Sequence, residues 1–261
     1  MARAGRGFEP WLVGLGSLSL AAWLLLVFGD STPALSALCT SGAGLAIPPP
    51  DSFDLALLFA SPASLAFRWA VMLAAMMLPV VAAPLRYVRY RSFARRRARA
   101  MLLFVLGYFA VWMAAGVVLQ VAALAVLTVA PLPLAGAGLA IAVAVMWQFS
   151  PAKQWCLNRC HRRPQLAAFG VAADRDAFNF GLTNGASCAG VCWALMLVML
   201  LAGEGQFSAM IAMTLLVFAE RLEAPAPLAW RCRGPGKAWR IVIAQAQAAG
   251  AGFMTGPAAK F

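Results

Sequence analysis

Two cysteine pairs carry the clearest chemistry in this sequence. Cys156 and Cys160 lie in Trp155-Cys156-Leu157-Asn158-Arg159-Cys160-His161, and Cys188 and Cys192 in Ser187-Cys188-Ala189-Gly190-Val191-Cys192-Trp193. Residues four apart on a helix share a face one turn apart, so each pair can aim two sulfurs at one point. Thiolates are soft ligands suited to Cu(I) and also to zinc. Four of them from neighbouring helices could close a tetrahedral site or pass a metal between two-sulfur sites. The same residue type also packs as a small apolar side chain, and paired thiols can exchange through a mixed disulfide.

Methionine extends the sulfur pattern. In Trp69-Ala70-Val71-Met72-Leu73-Ala74-Ala75-Met76-Met77-Leu78-Pro79, Met72 and Met76 share a face just before a proline that loosens the helix. Cys188, Cys192, Met196 and Met199 follow one another at helical spacing, and Met210 and Met213 repeat it further on. Thioethers favour Cu(I), although methionine is equally a space filler between helices. His161, beside Cys160, could be a further ligand or a polar residue of a basic loop. Cys39 and Cys232 stand apart from these patterns.

Several enzyme classes fall away. Gly185-Ala186-Ser187-Cys188 is similar to an intramembrane serine protease motif, but His161 is the sole histidine, so no later span supplies a base. There is no H-E-x-x-H, no phosphate-binding glycine loop and no pair of intramembrane carboxylates. The sequence points away from an enzyme.

The elements that hold these residues must be membrane helices. Of 261 residues, 63% are hydrophobic and 11% charged, with a mean hydropathy of +0.80. A soluble domain has roughly a quarter of its residues charged. Six cysteines are too few for a disulfide scaffold in a chain this long. Uncharged runs predict an all-α, polytopic bundle of about six spans. The first is Trp11 to Phe28, read as a retained span rather than a cleaved signal. The second is about Leu65 to Leu85. Two more lie within Ala100 to Ala152, broken by Pro131-Leu132-Pro133. A fifth runs about Gly185 to Ala202, with Thr183 and Asn184 as its expected cap. A short sixth covers Phe207 to Ala219, and Ile241 to Ala259 is a weak seventh.

Charge orients these spans. The net charge is +12, yet the loop Asp30 to Ser64 holds acids and no base, which places it outside the cytoplasm. Seven arginines, Arg86, Arg89, Arg91, Arg95, Arg96, Arg97 and Arg99, follow the second span and mark a cytoplasmic segment touching lipid headgroups rather than nucleic acid. Only Arg68 among the bases falls within a span, near enough to its end to snorkel. Trp11, Trp69, Trp147 and Trp155 sit near expected interfaces, and Glu220 is an ordinary carboxylate at a helix end. Three regions follow: 1–64, a span and outer loop; 65–223, the membrane domain with the sulfur residues; and 224–261, a basic cytoplasmic segment and weakly hydrophobic tail.

The combination Trp69, Met72, Ala75-Met76-Met77, Pro79 and Pro84, then Ser150-Pro151-Ala152-Lys153 with Cys156 and Cys160, then Cys188 and Cys192-Trp193-Ala194-Leu195-Met196 resembles the DUF2182 family of predicted metal-binding integral membrane proteins. The likeness covers about Leu65 to Glu223. It implies a bacterial inner-membrane helical protein that handles a metal, copper foremost. The family often has a further cysteine where this chain has Val191, and a histidine that corresponds to Asn184. The expectation is a multi-pass protein with a cytoplasmic N-terminus. It binds Cu(I), with zinc as the other candidate, through Cys156, Cys160, Cys188 and Cys192 with Met72, Met76, Met77 and His161 nearby. Its role would be metal delivery or assembly of a membrane metalloenzyme. The alternatives are an accessory subunit of a larger membrane complex and a thiol redox protein.

Overall fold

The computed structural model of the chain describes residues 9–28, 62–129, 133–202 and 206–231, with single positions as far as Ala244. Among the described residues the protein is all-helical, without strands. The helices are α1 (Pro10–Phe28), α2 (Pro62–Arg91), α3 (Arg97–Val129), α4 (Pro133–Phe149), α5 (Pro151–Cys160), α6 (Gly170–Leu201) and α7 (Gln206–Leu222), with a 3-10 turn Ala94–Arg96 ahead of α3. Most of the loop Asp30 to Ser64, most of the weak segment Ile241 to Ala259, and both Cys39 and Cys232 lie outside the described residues.

Four helices are long and apolar enough to cross a membrane: Pro10–Phe28, Leu65–Arg91, Ala94–Val126 and Gly170–Leu201. The expected fourth and sixth spans correspond to α4 and α7, which have 17 residues each. That is about 25 Å of helix against a hydrocarbon core of roughly 30 Å. The structure thus supports four of the expected six by length and composition.

The fifth expected span begins much earlier than its uncharged core. α6 starts at Gly170, whose φ of +69° is the left-handed conformation glycine tolerates. Thr183 and Asn184 are therefore mid-helix and cap nothing. Thr183 Oγ1 donates back to the carbonyls of Asn179 (2.9 Å) and Phe180 (3.1 Å), which lets a polar residue continue the helix. The arginine cluster also does more than mark a membrane side. Arg96 and Arg99 both pair with Asp174 (2.6 and 2.7 Å), and Arg96 donates to the Gly170 carbonyl (2.7 Å), so they clamp the start of α6 to the start of α3.

α6 is the hub, packed along α3 and against α4, α5 and α7, while α2 joins α1 to α3 and α7. The α3–α6 crossing is close because three glycines lie in it. A Cβ on Gly181 would stand 2.2 Å from the Phe104 carbonyl oxygen, one on Gly107 2.5 Å from that of Phe178, and one on Gly185 2.9 Å from that of Tyr108. Small residues in such seams let backbones approach without the hydrophobic drive that water supplies. Trp69, expected at an interface, is buried instead and donates to the Trp112 carbonyl (2.8 Å).

Pro79 shapes the α1–α2 contact. It lacks the N–H that would bond the Ala75 carbonyl. Ser19 Oγ (2.7 Å) and Trp23 Nε1 (3.0 Å) donate to that oxygen from α1. An interior proline is thus satisfied by the neighbouring helix.

Gly181→Ala should destabilise the fold by about 1–3 kcal/mol or more, the usual range for overpacking. Gly14→Ala, with nothing within 4 Å of its added methyl, should be neutral. Unfolding in mixed detergent micelles by denaturing surfactant, followed by helical circular dichroism, compares the two.

Candidate metal centre

α5 is built by local signals. Ser150 is its N-cap, accepting from the Lys153 backbone N–H (3.1 Å), and Pro151 occupies the first turn, where no N–H is needed. Cys156 and Cys160 then fall on one face, turned toward α6. The Cys156 sulfur rests on Gly190, where a Cβ would be only 2.6 Å away. Trp147 Nε1 donates to the Gly190 carbonyl (3.0 Å) and closes that contact.

Gly190 is two residues from both Cys188 and Cys192, about 200° around the helix from either. Cys156 therefore meets α6 on the side opposite the other pair. Cys188 and Cys192 point inward and are 0% and 1% exposed. Cys188 Sγ accepts a hydrogen bond from Tyr108 Oη (3.1 Å) on α3 and lies 4.0 Å from Met77 Sδ on α2. The Cys192 thiol lies one turn on, within hydrogen-bonding reach of it. Cys160 is buried and within electrostatic range of both Cys156 and Cys188.

The four thiols do not close one tetrahedral cage. Among the described residues, no three His, Cys, Asp or Glu side chains gather closely enough to hold a metal ion. Cys156, Cys160, Cys188 and Cys192 are all free thiols. What converges is Cys188, Cys192 and the Met77 thioether, three soft donors from α2 and α6. Met72 and Met76 are buried in the same core. His161 ends α5, its Nδ1 3.0 Å from the Leu157 carbonyl and its Nε2 3.3 Å from that of Arg221, so both ring nitrogens face backbone.

Three charged residues near the sulfurs escape a hydropathy reading. Lys153 is fully buried and its Nζ donates to Glu220 Oε1 (2.8 Å), with the Gln148 amide bridging both. Glu220 is therefore no ordinary helix-end carboxylate. Removing one partner of such a pair strands a buried charge, at about 3–5 kcal/mol. Next to it, Arg221 lies within electrostatic range of Cys188, Cys160, Tyr108 and Cys192. A signal was present in the sequence: Glu220-Arg221 closes an apolar helix, and Lys153 stands among uncharged residues.

Burial acts on the α5 thiols as well. It pushes Cys160 up to about 12, and raises half-buried Cys156 as well. Both are protonated at neutral pH, so a soft cation arriving at α5 must displace protons, and its affinity there rises with pH.

A family model described as PpoB2, copper chaperone, matches residues 66–239, a stretch that contains every sulfur ligand candidate. The chain belongs to that family. The match bears out the copper-related character expected from the DUF2182 resemblance, though under a different family name. No curated protein and no solved structure matches the chain.

In a background lacking Cys39 and Cys232, iodoacetamide at about pH 7 should modify Cys156 first and leave Cys160, Cys188 and Cys192 intact. Raising the pH to about 9 should speed Cys156 and still leave Cys160 nearly unreacted, because its thiol loses its proton only as the pH approaches 12. Peptide mass spectrometry reads the order.

Proposed function

We propose that this protein is a multi-pass membrane copper chaperone that holds Cu(I) on sulfur and delivers it to a membrane metalloenzyme. The observation that carries the reading is the buried meeting of Cys188, Cys192 and Met77 beneath Tyr108, in a chain that belongs to a copper chaperone family. Two thiols and a thioether suit a soft ion of low coordination number, and a closed structural zinc site would need a fourth protein ligand.

Cys156 and Cys160 act as the receiving pair on α5, and Cys188 and Cys192 as the holding pair. Copper passes between them by stepwise ligand exchange, each thiol giving up its proton as the metal binds. Tyr108 donates its hydrogen bond to Cys188 and steadies the thiolate that results. Met77 adds a neutral donor from α2.

The helices span the inner membrane of a bacterium. α4 and α7 complete six crossings at the short end of the spanning range, with Arg86 to Arg99 and the N-terminus on the cytoplasmic side. This places α5 on that side, where thiols stay reduced.

The detergent-purified full chain, loaded with Cu(I), should carry near-stoichiometric copper by elemental analysis. The Cys188→Ser, Cys192→Ser double variant should keep its helical circular dichroism and lose at least about nine-tenths of the copper. Unchanged copper in the variant would overturn the reading.

A further inference from the structure

Arg221 is an arginine without a counterion at the edge of a sulfur site. Its Nε and Nη2 are buried and have no hydrogen-bond partner, and the guanidinium lies within hydrogen-bonding reach of the Cys188 thiol. Among the described residues the ion pairs are Arg96–Asp174, Arg99–Asp174 and Lys153–Glu220, and Arg221 takes part in none of them. Its chain neighbour Glu220 is committed to Lys153 and Gln148, and that network is already neutral. The groups within electrostatic reach of Arg221 include Cys188, Cys160, Tyr108 and Cys192, none of which is a carboxylate, and the guanidinium of Arg163, whose exposed side chain leaves its charge to solvent rather than to the buried site. An unpaired guanidinium so placed is costly unless something there becomes negative.

We propose that Arg221 sets the charge of the buried site and so makes it selective for a singly charged soft cation over a doubly charged one. The inference rests on the copper reading above and names the residue that decides which metal is held. The balance is simple. Metal binding at Cys188 and Cys192 displaces two thiol protons and leaves two negative sulfurs. Met77 adds a donor without charge, and the Tyr108 phenol remains neutral as a hydrogen-bond donor. With Arg221 the site carries one net negative charge before the metal is counted. Cu(I) brings it to zero. Zn(II) leaves it at plus one in a low-dielectric interior, where an uncompensated charge is strongly disfavoured. No third Cys, His, Asp or Glu gathers with the pair to absorb that excess among the described residues.

The test uses the detergent-purified full chain as wild type, Arg221→Met and Arg221→Lys. Cu(I) affinity is measured by competition with a chromophoric Cu(I) chelator, and Zn(II) affinity by competition with a zinc indicator. Arg221→Met should lower the Cu(I)-to-Zn(II) affinity ratio by tenfold or more, with zinc held or tightened, and Arg221→Lys should keep most of the wild-type ratio. An unchanged ratio in a folded Arg221→Met protein, or equal losses for both metals, overturns the inference while leaving the copper reading intact. A wild type that takes no Cu(I) overturns both. If Arg221→Met does not fold, Ag(I) and Cd(II) serve on the wild type. Retention of Ag(I) against equimolar Cd(II) supports the proposal, and its displacement overturns it.

Discussion

The crossing of α3 on α6 controls everything at the sulfur site. It is close because Gly107, Gly181 and Gly185 present no side chain where the two backbones meet. In a bilayer such an approach gains dispersion contacts, and the hydrophobic effect supplies little of the association. The crossing sets Tyr108 over Cys188 at hydrogen-bonding distance. A wider one would separate them. α2 then brings Met77 in from another direction, with the Ala75 carbonyl that Pro79 leaves free bound by Ser19 and Trp23 of α1. Each helix supplies one requirement of the site, and the glycines allow all of them to be met together.

Charge organises the other side of α6. Lys153 and Glu220 tie α5 to α7 through a buried pair, and the His161 ring lies between the Leu157 and Arg221 carbonyls at the same junction. These contacts position α5, so that Cys156 seats on Gly190 and Cys160 faces inward. Arg96 and Arg99 hold the opposite end of α6 through Asp174. The inner pair is thereby fixed from both ends, and of the α5 thiols Cys160 is the one within electrostatic range of Cys188. Arg221 adds a buried positive charge within electrostatic range of Cys188, Cys160, Tyr108 and Cys192.

Hydropathy and proline placement made the helices legible. Trp11 to Phe28, and the end of α3 at Val129 with the start of α4 at Pro133, lie where the sequence pattern puts them, while the separate helix α5 from Pro151 lies where the sequence ran a span on to Ala152. The start of α6 was hidden because Asp174, Arg175, Asp176, Asn179, Thr183 and Asn184 interrupt the apolar residues of 170–184, yet arginine clamps and back-bonded Thr183 keep the segment helical. The cysteine pairs were legible as pairs, since spacing of four is a local property. Their meeting was not: a helical wheel puts Gly190 opposite Cys188, but which neighbour packs there depends on helix order. The role of Tyr108 was unreadable for the same reason, and Glu220-Arg221 stood out only as charges closing an apolar helix, without their partners. Only the tertiary arrangement makes Tyr108 and Arg221 part of the site.

The central claim is that copper is held here by sulfur alone. X-ray absorption at the copper K-edge, measured on the Cu(I)-loaded full chain, tests it most directly. The account predicts the edge of Cu(I) and a first shell of two or three sulfur atoms. A first shell dominated by nitrogen or oxygen would contradict it.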